Sequence, residues 1–391
     1  MYSEFENARI SAISVVVPED EISIFDEAEY YGNNIRKIER MRKIVGFNKR
    51  RVSRDGVTPT DLAQCAAENL IAGTGIARDS VDALVFVEQK FGYNGAMDAY
   101  DLHHRLGLSE ECVCTGVTQG CAGWVWGVFL CSQMLQAGTF RRILLLNADK
   151  PTFRISTADR TQAPLFGDAG CATLIEHTDK PRRSCFGIKT ISSGFGALII
   201  PAGGCALPYD YGKPGNDPYN AVLVDEFPNK GGYATNLLMD QMDGDAVFEF
   251  TINVVPAHIK SVLGRSGMSP ENVAKCCLHQ ANKQIVQSVG TAAGFEPGDI
   301  PTSAFESYGN NTMCSIPTVL AGEYEANEGR FSDKPYLCSG FGCGLVVATA
   351  LLDLSDAKSL GVRNFKKPEG FKDRAALAAY WKERFSQNAP K

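Results

Sequence analysis

The chain repeats itself, and that repeat narrows the fold more than any other feature. Gly75-Ile-Ala-Arg-Asp-Ser-Val81 leads into the apolar strand Ala83-Leu-Val-Phe-Val87. Gly267-Met-Ser-Pro-Glu-Asn-Val273, 192 residues further on, leads into Lys275-Cys-Cys-Leu278. The same offset carries Ile143–Asp149 onto Lys334–Phe341 within a residue or two and sets the loop at Cys121 opposite Met313. Strand patterns alternate with helix patterns throughout, the mark of an α/β chain whose sheets lie between helices. One helix start is explicit: Thr58 caps, Pro59 takes the first turn, and the helix runs on to about Ala72. A duplication of this length predicts two similar βα halves packed as a pseudo-twofold pair. Chance likeness between two α/β units is the competing reading.

With 391 residues there is room for two fused halves. The N-terminal half takes residues 1–180, the C-terminal half 181–354, and a separate tail 355–391. Inside the second half, residues 203–243 are rich in Gly, Pro, Asp, Asn and Tyr without any period, which reads as a lid or binding loop. After residue 355 nine Lys/Arg face four Asp/Glu, with an apolar stripe at Leu377, Tyr380 and Trp381. That pattern predicts an appended helix docked on the body. A formal net charge of -6, with no basic run longer than three, argues against nucleic acid as a partner. No stretch approaches 18 uninterrupted apolar residues, and the acidic Met1–Glu6 is unlike a secretion signal. The expectation is a cytoplasmic protein with no membrane partner.

There are thirteen cysteines, an odd number, with no C-x-x-C spacing, so neither a zinc site nor any other metal site is expected. Without a secretion signal a disulfide scaffold is not expected either. Most of these thiols lie in apolar runs and read as small core hydrophobes. Cys121 differs. Small residues surround it in Gln119-Gly-Cys-Ala-Gly123, and the apolar Val125–Ala137 that follows, ending at Gly138, predicts a buried central helix. A thiol at such an N-terminus would have its pKa lowered by the helix dipole; one more packed cysteine is the alternative.

Five histidines limit its possible partners. His103 and His104 fall in a polar helix, His177 in a turn, and His258 at a surface or packing position. His279 ends a buried strand and opens the turn His279-Gln-Ala-Asn282, facing the crevice where α/β proteins bind ligands. Tyr308-Gly-Asn-Asn-Thr312 is the pseudo-symmetric mate of the Cys121 loop, although plain turn chemistry also explains it. In Ser339-Gly-Phe-Gly-Cys-Gly344, after a strand, glycines would let a backbone N–H approach a reacting oxygen.

Together these four segments resemble the β-ketoacyl-[acyl-carrier-protein] synthase III family of the thiolase superfamily. The likeness runs over nearly all of residues 8–354 and includes Val45–Arg51, Asp159–Thr161, Leu165–Asp168, Met242–Phe248 and Ser315–Pro317. It implies an α/β, five-layered αβαβα thiolase-like fold of two pseudo-symmetric halves, a homodimer, no cofactor, and a Cys–His–Asn triad at Cys121, His279 and Asn310. In that scheme Cys121 takes an acyl group from a thioester. The backbone N–H groups of Cys121 and Cys343 hold the oxyanion. His279 and Asn310 donate hydrogen bonds to the thioester oxygen of a malonyl-type unit as CO2 leaves, and the enolate attacks the acyl carbon. A thiolate stabilised by the helix would load without help from His279 or Asn310.

The implied partners are acyl and malonyl-type thioesters on acyl carrier protein or coenzyme A. Family members primed by coenzyme A clamp its adenine with a Trp and an Arg just before the Val45-Gly46 motif. Here those positions are Arg40 and Ile44, while the Arg of the other side is kept as Arg160. The basic residue expected two after the His-Gln-Ala-Asn motif is Gln284, with Lys283 beside it and Asn282 before. Docking of a carrier protein on rim cations such as Lys283, Lys260 and Arg265 is therefore expected. Gly309-Asn310-Asn311 replaces the family's Gly-Asn-Thr and makes Asn311 a rival to Asn310. Gly95-Ala96-Met97 stands where some branches carry a dimer-crossing Glu, which argues against head-to-head condensation. The competing functions are an acyltransferase passing the acyl group to an alcohol or amine, a type III polyketide synthase-like enzyme, and a non-catalytic partner subunit.

Overall fold

The fold is that of a computed structural model, in which residues 1–54 and 56–386 are described. The strands of its two main sheets are β1 (Tyr2–Phe5), β2 (Ala8–Val17), β3 (Ala83–Glu88), β4 (Val113–Thr118), β5 (Arg142–Asp149), β6 (Ala169–His177), β7 (Ser184–Thr190), β8 (Cys276–Leu278), β9 (Tyr336–Gly342), β10 (Val346–Leu352) and β11 (Lys358–Asn364). The principal helices are α1 (Ile35–Val45), α2 (Pro59–Thr74), α3 (Asp98–Arg105), α4 (Gly123–Gln136), α5 (Val255–Ser266), α6 (Lys283–Ala293), α7 (Ser315–Ala326) and α8 (Arg374–Ser386). A six-stranded sheet runs β11-β2-β6-β5-β3-β4 and a five-stranded one β1-β7-β10-β9-β8.

One pairing scheme runs twice. In the larger sheet β3 and β5 are parallel, with Leu84 beside Leu144, and β5–β6 and β6–β2 are antiparallel. In the smaller one β8 and β9 are parallel, with Cys276 beside Leu337, and β9–β10 and β10–β7 are antiparallel. The repeated Gly75 and Gly267 both end helices, α2 and α5, in the left-handed conformation at φ 70°, where glycine pays no Cβ penalty. At its other end α2 starts on a capping box between Thr58 and Asp61.

Period-two alternation sorts the strand side chains into layers. Leu84, Phe86, Leu144 and Leu146 pack outward with Leu62, Ala66 and Leu70 of α2. Val85, Val87 and Leu145 turn inward to Val125 and Val128 of α4 and to Ile316, Val319 and Leu320 of α7. On the far side Leu337 and Val347 pack against Ile259 and Val262 of α5 and Val286 and Val289 of α6. Five layers result, αβαβα. The middle helix α4 is apolar on nearly every face because a sheet lies on each side. The helical run Gly244–Ser266 is long and apolar enough to cross a bilayer by length and composition. Its Val255, Ile259, Val262 and Leu263 are nonetheless buried in the outer core beside the sheet.

The termini are exchanged between the sheets. β1, from the start of the chain, pairs with β7 in the smaller sheet, and β11, from the tail, pairs with β2 in the larger. Reading 355–391 as a purely helical appendage missed β11. Its residues carry no strong alternation, and the open edge of β2 supplies the hydrogen bonds that extend them. The helix α8 docks through Trp381, edge-on to Tyr93 at 5.7 Å, and through Arg374 over Phe153. Residues 387–391 of the tail lie outside the described residues.

Candidate active site

A cavity of about 190 Å³ has Cys121, His279 and Asn310 in its wall, together with Phe341, Gly342 and Cys343. Cys121 sits in the turn that enters α4, closed by the Gly123 N–H donating to the Gly120 carbonyl at 2.7 Å. The strand β9 presses against this turn. A Cβ on Gly340 would lie 2.7 Å from Ala122 Cα, and one on Gly342 would lie 3.2 Å from Cys121 Sγ. Glycine is needed at 340, where the obstacle is backbone, while at 342 a side chain would crowd the Cys121 thiol.

The helix-lowered thiol expected from the sequence does not survive this packing. Burial pushes the Cys121 thiol well above its ordinary value; Cys343 and Asp149 add to the shift, and Lys90 opposes it. Desolvation of the charged form outweighs a dipole effect that is worth at most about 2 kcal/mol. Cys121 therefore rests as a neutral thiol.

His279 follows β8, its N–H held by the Ser339 carbonyl at 2.8 Å. Its Nδ1 lies 3.1 Å from the Thr312 carbonyl and 2.9 Å from Ser315 Oγ. Burial lowers its pKa to about 4, against a weaker upward pull from the Thr312 carbonyl. The imidazole is therefore neutral at pH 7, with Nδ1–H directed at the carbonyl and Nε2 left as an acceptor. Thr312 adopts a left-handed φ of 49°, uncommon for a non-glycine residue, in the loop that presents this carbonyl.

Asn310 is clamped by the loop 165–168. Its N–H donates to the Leu165 carbonyl at 2.7 Å and its carbonyl accepts from Gly167 N–H at 3.1 Å. Its Oδ1 accepts from the Thr312 N–H at 2.9 Å, which directs the amide group. Asn311 is not part of the cavity wall; its amide reaches the Tyr308 carbonyl at 3.4 Å. The two asparagines that the sequence left as rivals are thus separated by geometry.

The carrier-binding residues fare unevenly. Asn282 lines the cavity and caps α6 by accepting from Ile285 N–H at 2.8 Å. Lys283 pairs with Glu306 at 2.7 Å in a separate groove that also holds Arg42 and Lys43 of α1. Arg40 and Ile44 are exposed on α1. Arg160 departs from expectation: it is buried, ion-paired to Glu27 at 2.9 Å and stacked 4.5 Å from the Tyr30 ring, and it does not line the cavity. Of the other proposed rim cations, Arg265 lies over Tyr2 and Lys260 is exposed on α5; neither borders the cavity or the Lys283 groove. Sequence reasoning missed Lys90 and Asp240, which line the cavity as an ion pair at 3.0 Å. No local pattern signals a pair 150 residues apart. All thirteen cysteines are free, and among the described residues no cluster of His, Cys, Asp or Glu could hold a metal.

Comparison with known proteins places this geometry. The family model for 3-oxoacyl-[acyl-carrier-protein (ACP)] synthase III matches residues 116–194, and that for the synthase III C terminal matches 263–354. A Campylobacter jejuni protein described as a 3-oxoacyl-[acyl-carrier-protein] synthase 3 is 31% identical over 371 residues, covering 94% of this chain and 99% of that one. The chloroplastic β-ketoacyl-[acyl-carrier-protein] synthase III B of Cuphea wrightii is 28% identical, covering 78% of this chain and 74% of its own. The crystal structure of a 3-oxoacyl-(acyl-carrier protein) synthase from Burkholderia xenovorans superposes with a TM-score of 0.82 at 27% identity, covering 93% of this chain and 99% of that one. The chain belongs to the 3-oxoacyl-[acyl-carrier-protein] synthase III family of acyl-transferring condensing enzymes.

Proposed function

We propose that the enzyme loads an acyl group onto Cys121 and extends it by decarboxylative Claisen condensation with a malonyl-type thioester. The observation carrying this reading is that Cys121, His279 and Asn310, from three distant segments, share one cavity wall with Gly342 and Cys343. In the first half-reaction the thiol proton passes to Nε2 of neutral His279 as Sγ attacks the thioester carbonyl. The oxyanion is held by the backbone N–H groups of Cys121 and Cys343. Its collapse expels the carrier thiolate, which recovers the proton from the imidazolium.

In the second, the bond from the malonyl carbon to its carboxylate breaks, CO2 leaves, and the electron pair forms an enolate. Its oxygen accepts from Asn310 Nδ2 and from His279 Nε2–H. That tautomer requires the Ser315 hydroxyl to turn from the Thr312 carbonyl, to which it donates at 2.7 Å, and donate instead to Nδ1 at 2.9 Å. The enolate carbon attacks the acyl carbonyl, the new C–C bond forms, and the Cys121 thiolate leaves and is reprotonated from solvent. Intact-mass measurement after exposure to acyl thioesters tests the nucleophile: Cys121→Ala should lose the adduct, and persistent acylation at Cys314 or Cys343 overturns the assignment. Release of CO2 from a malonyl-carrier protein separates condensation from simple acyl transfer to an alcohol or amine.

Acyl carrier protein is the proposed donor rather than free coenzyme A. Support comes from the lack of an aromatic side chain at Arg40 and Ile44, and from the groove where Arg42 and Lys43 stand beside the Lys283–Glu306 ion pair and Glu39. A cytoplasmic homodimer is proposed as the working form. The half-exposed strand β4 is one of the two edges of the larger sheet, and pairing with a second copy would satisfy its backbone. A monomer by sedimentation at micromolar concentration contradicts the dimer.

A further inference from the structure

One part of the cavity wall is built from groups that take no part in the bond changes of the condensation. Lys90 lies just beyond β3, and Asp240 lies near the end of the 203–243 segment; their side chains are only 12% and 17% exposed. Both line the cavity that holds Cys121. Among the described residues the Lys90 ammonium makes one hydrogen bond, to Asp240 Oδ2 at 3.0 Å, and the Asp240 carboxylate accepts from no other group. An ammonium offers three donors and a carboxylate about four acceptor sites, so both partners have unused capacity beside the cavity. Asp149 is a second negative charge acting on Lys90, and its Oδ2 is buried without a partner. The rest of the wall is largely apolar, with Leu198, Met242, Val247 and Leu345.

A plain alkyl chain filling this space would strip the pair of water and return no hydrogen bond, a cost of about 1–3 kcal/mol per unsatisfied group. A carboxylate would add a third negative group around one cation. An ammonium would compete with Lys90 for the Asp240 carboxylate. A hydroxyl fits the arrangement, because it accepts from Lys90 and donates to Asp240 without adding charge. We propose that the acyl group carried by Cys121 bears a hydroxyl seated between Lys90 and Asp240, which makes the enzyme selective for hydroxyacyl over unsubstituted acyl thioesters. This rests on the reading of Cys121 as the acylated nucleophile.

The test is the single-turnover rate of Cys121 acylation, read by intact mass, from hexanoyl, adipoyl and 6-aminohexanoyl thioesters and from hexanoyl thioesters hydroxylated at carbon 3, 5 or 6. At least one hydroxylated chain should load about tenfold faster than hexanoyl or more, since a site built to bond a hydroxyl discriminates strongly against its absence. The double variant Lys90→Met/Asp240→Leu removes both charges together, an exchange that buried ion pairs often tolerate. In it the preference should fall to about twofold or reverse. Hexanoyl, adipoyl or 6-aminohexanoyl loading as fast as every hydroxylated chain overturns the proposal. So does a double variant whose rates all change together with their ratio intact, which would make the pair a tie between the 203–243 segment and the body. Absence of any Cys121 adduct from every thioester would instead refute the nucleophile assignment.

Discussion

Acyl loading should stay fast down to pH 5. In the proposed mechanism His279, its pKa lowered to about 4 by burial, stays available as the base for the Cys121 proton far below the usual histidine range. At pH 5 an imidazole with that pKa is about 90% neutral, whereas one at 6.5 would be about 3% neutral, a roughly thirtyfold difference in available base. The thiol, raised by burial, adds no competing step between pH 5 and 8. His279→Gln should lower loading by about 10²–10⁴-fold, the usual contribution of a positioned base, and remove the acid limb. The assay is rapid-quench acylation followed by intact mass, from pH 4 to 8.

The fold must be monitored alongside. The folded pKa of His279 lies below its unfolded value, so the unfolded chain binds the proton first. The associated stability is present above pH 6.5 and lost as pH falls toward 4, about 2 kcal/mol by pH 5. Circular dichroism at each pH separates this from chemistry. An acid limb centred near 6.5 in folded protein would refute the reasoning. So would His279→Gln loading at the wild-type rate, which would mean that the thiolate forms without a base.

Asn310→Ala should load normally and lose about 10²–10³-fold in condensation, as removal of one oxyanion donor does. Asn311→Ala, losing only a 3.4 Å bond to the Tyr308 carbonyl, should be much milder; the reverse order in a CO2-release assay would reassign the loop. Cys121 should load faster from acyl carrier protein than from the same acyl chain on coenzyme A, and the preference should weaken with rising salt and with Lys283→Glu. Equal rates at low salt would reveal a nucleotide site in the protein.

The layered fold was legible because it rests on local information, and the proposed triad was legible through the resemblance of its motifs to a family. The Gly75 and Gly267 helix ends, the small-residue turn before α4, and the strand-ending His279 are dictated by backbone sterics and periodicity within a few residues. The spacing of the two halves then brought Cys121, His279 and Asn310 to one place. The choice of asparagine was not legible there: Asn310 is held at the cavity by Leu165 and Gly167 of the N-terminal half, a contact between distant segments.

What the tertiary structure alone decided are the charges and partners. A helix N-terminus promises a lowered thiol pKa, yet the sheets enclosing Cys121 reverse the sign, because desolvation depends on everything packed around the group. Arg160 matches a ligand-binding position of the family it resembles, but Glu27, 133 residues earlier, ion-pairs with it, and with Arg50, in the interior. Lys90 and Asp240 belong to no motif and meet only because the 203–243 segment folds back over the β3 end of the sheet. The strand β11 likewise waits on an open edge at the opposite end of the sequence. Periodicity and turn chemistry act along the chain and can be read there; burial and long-range pairing depend on which segments become neighbours, and no residue carries that information by itself.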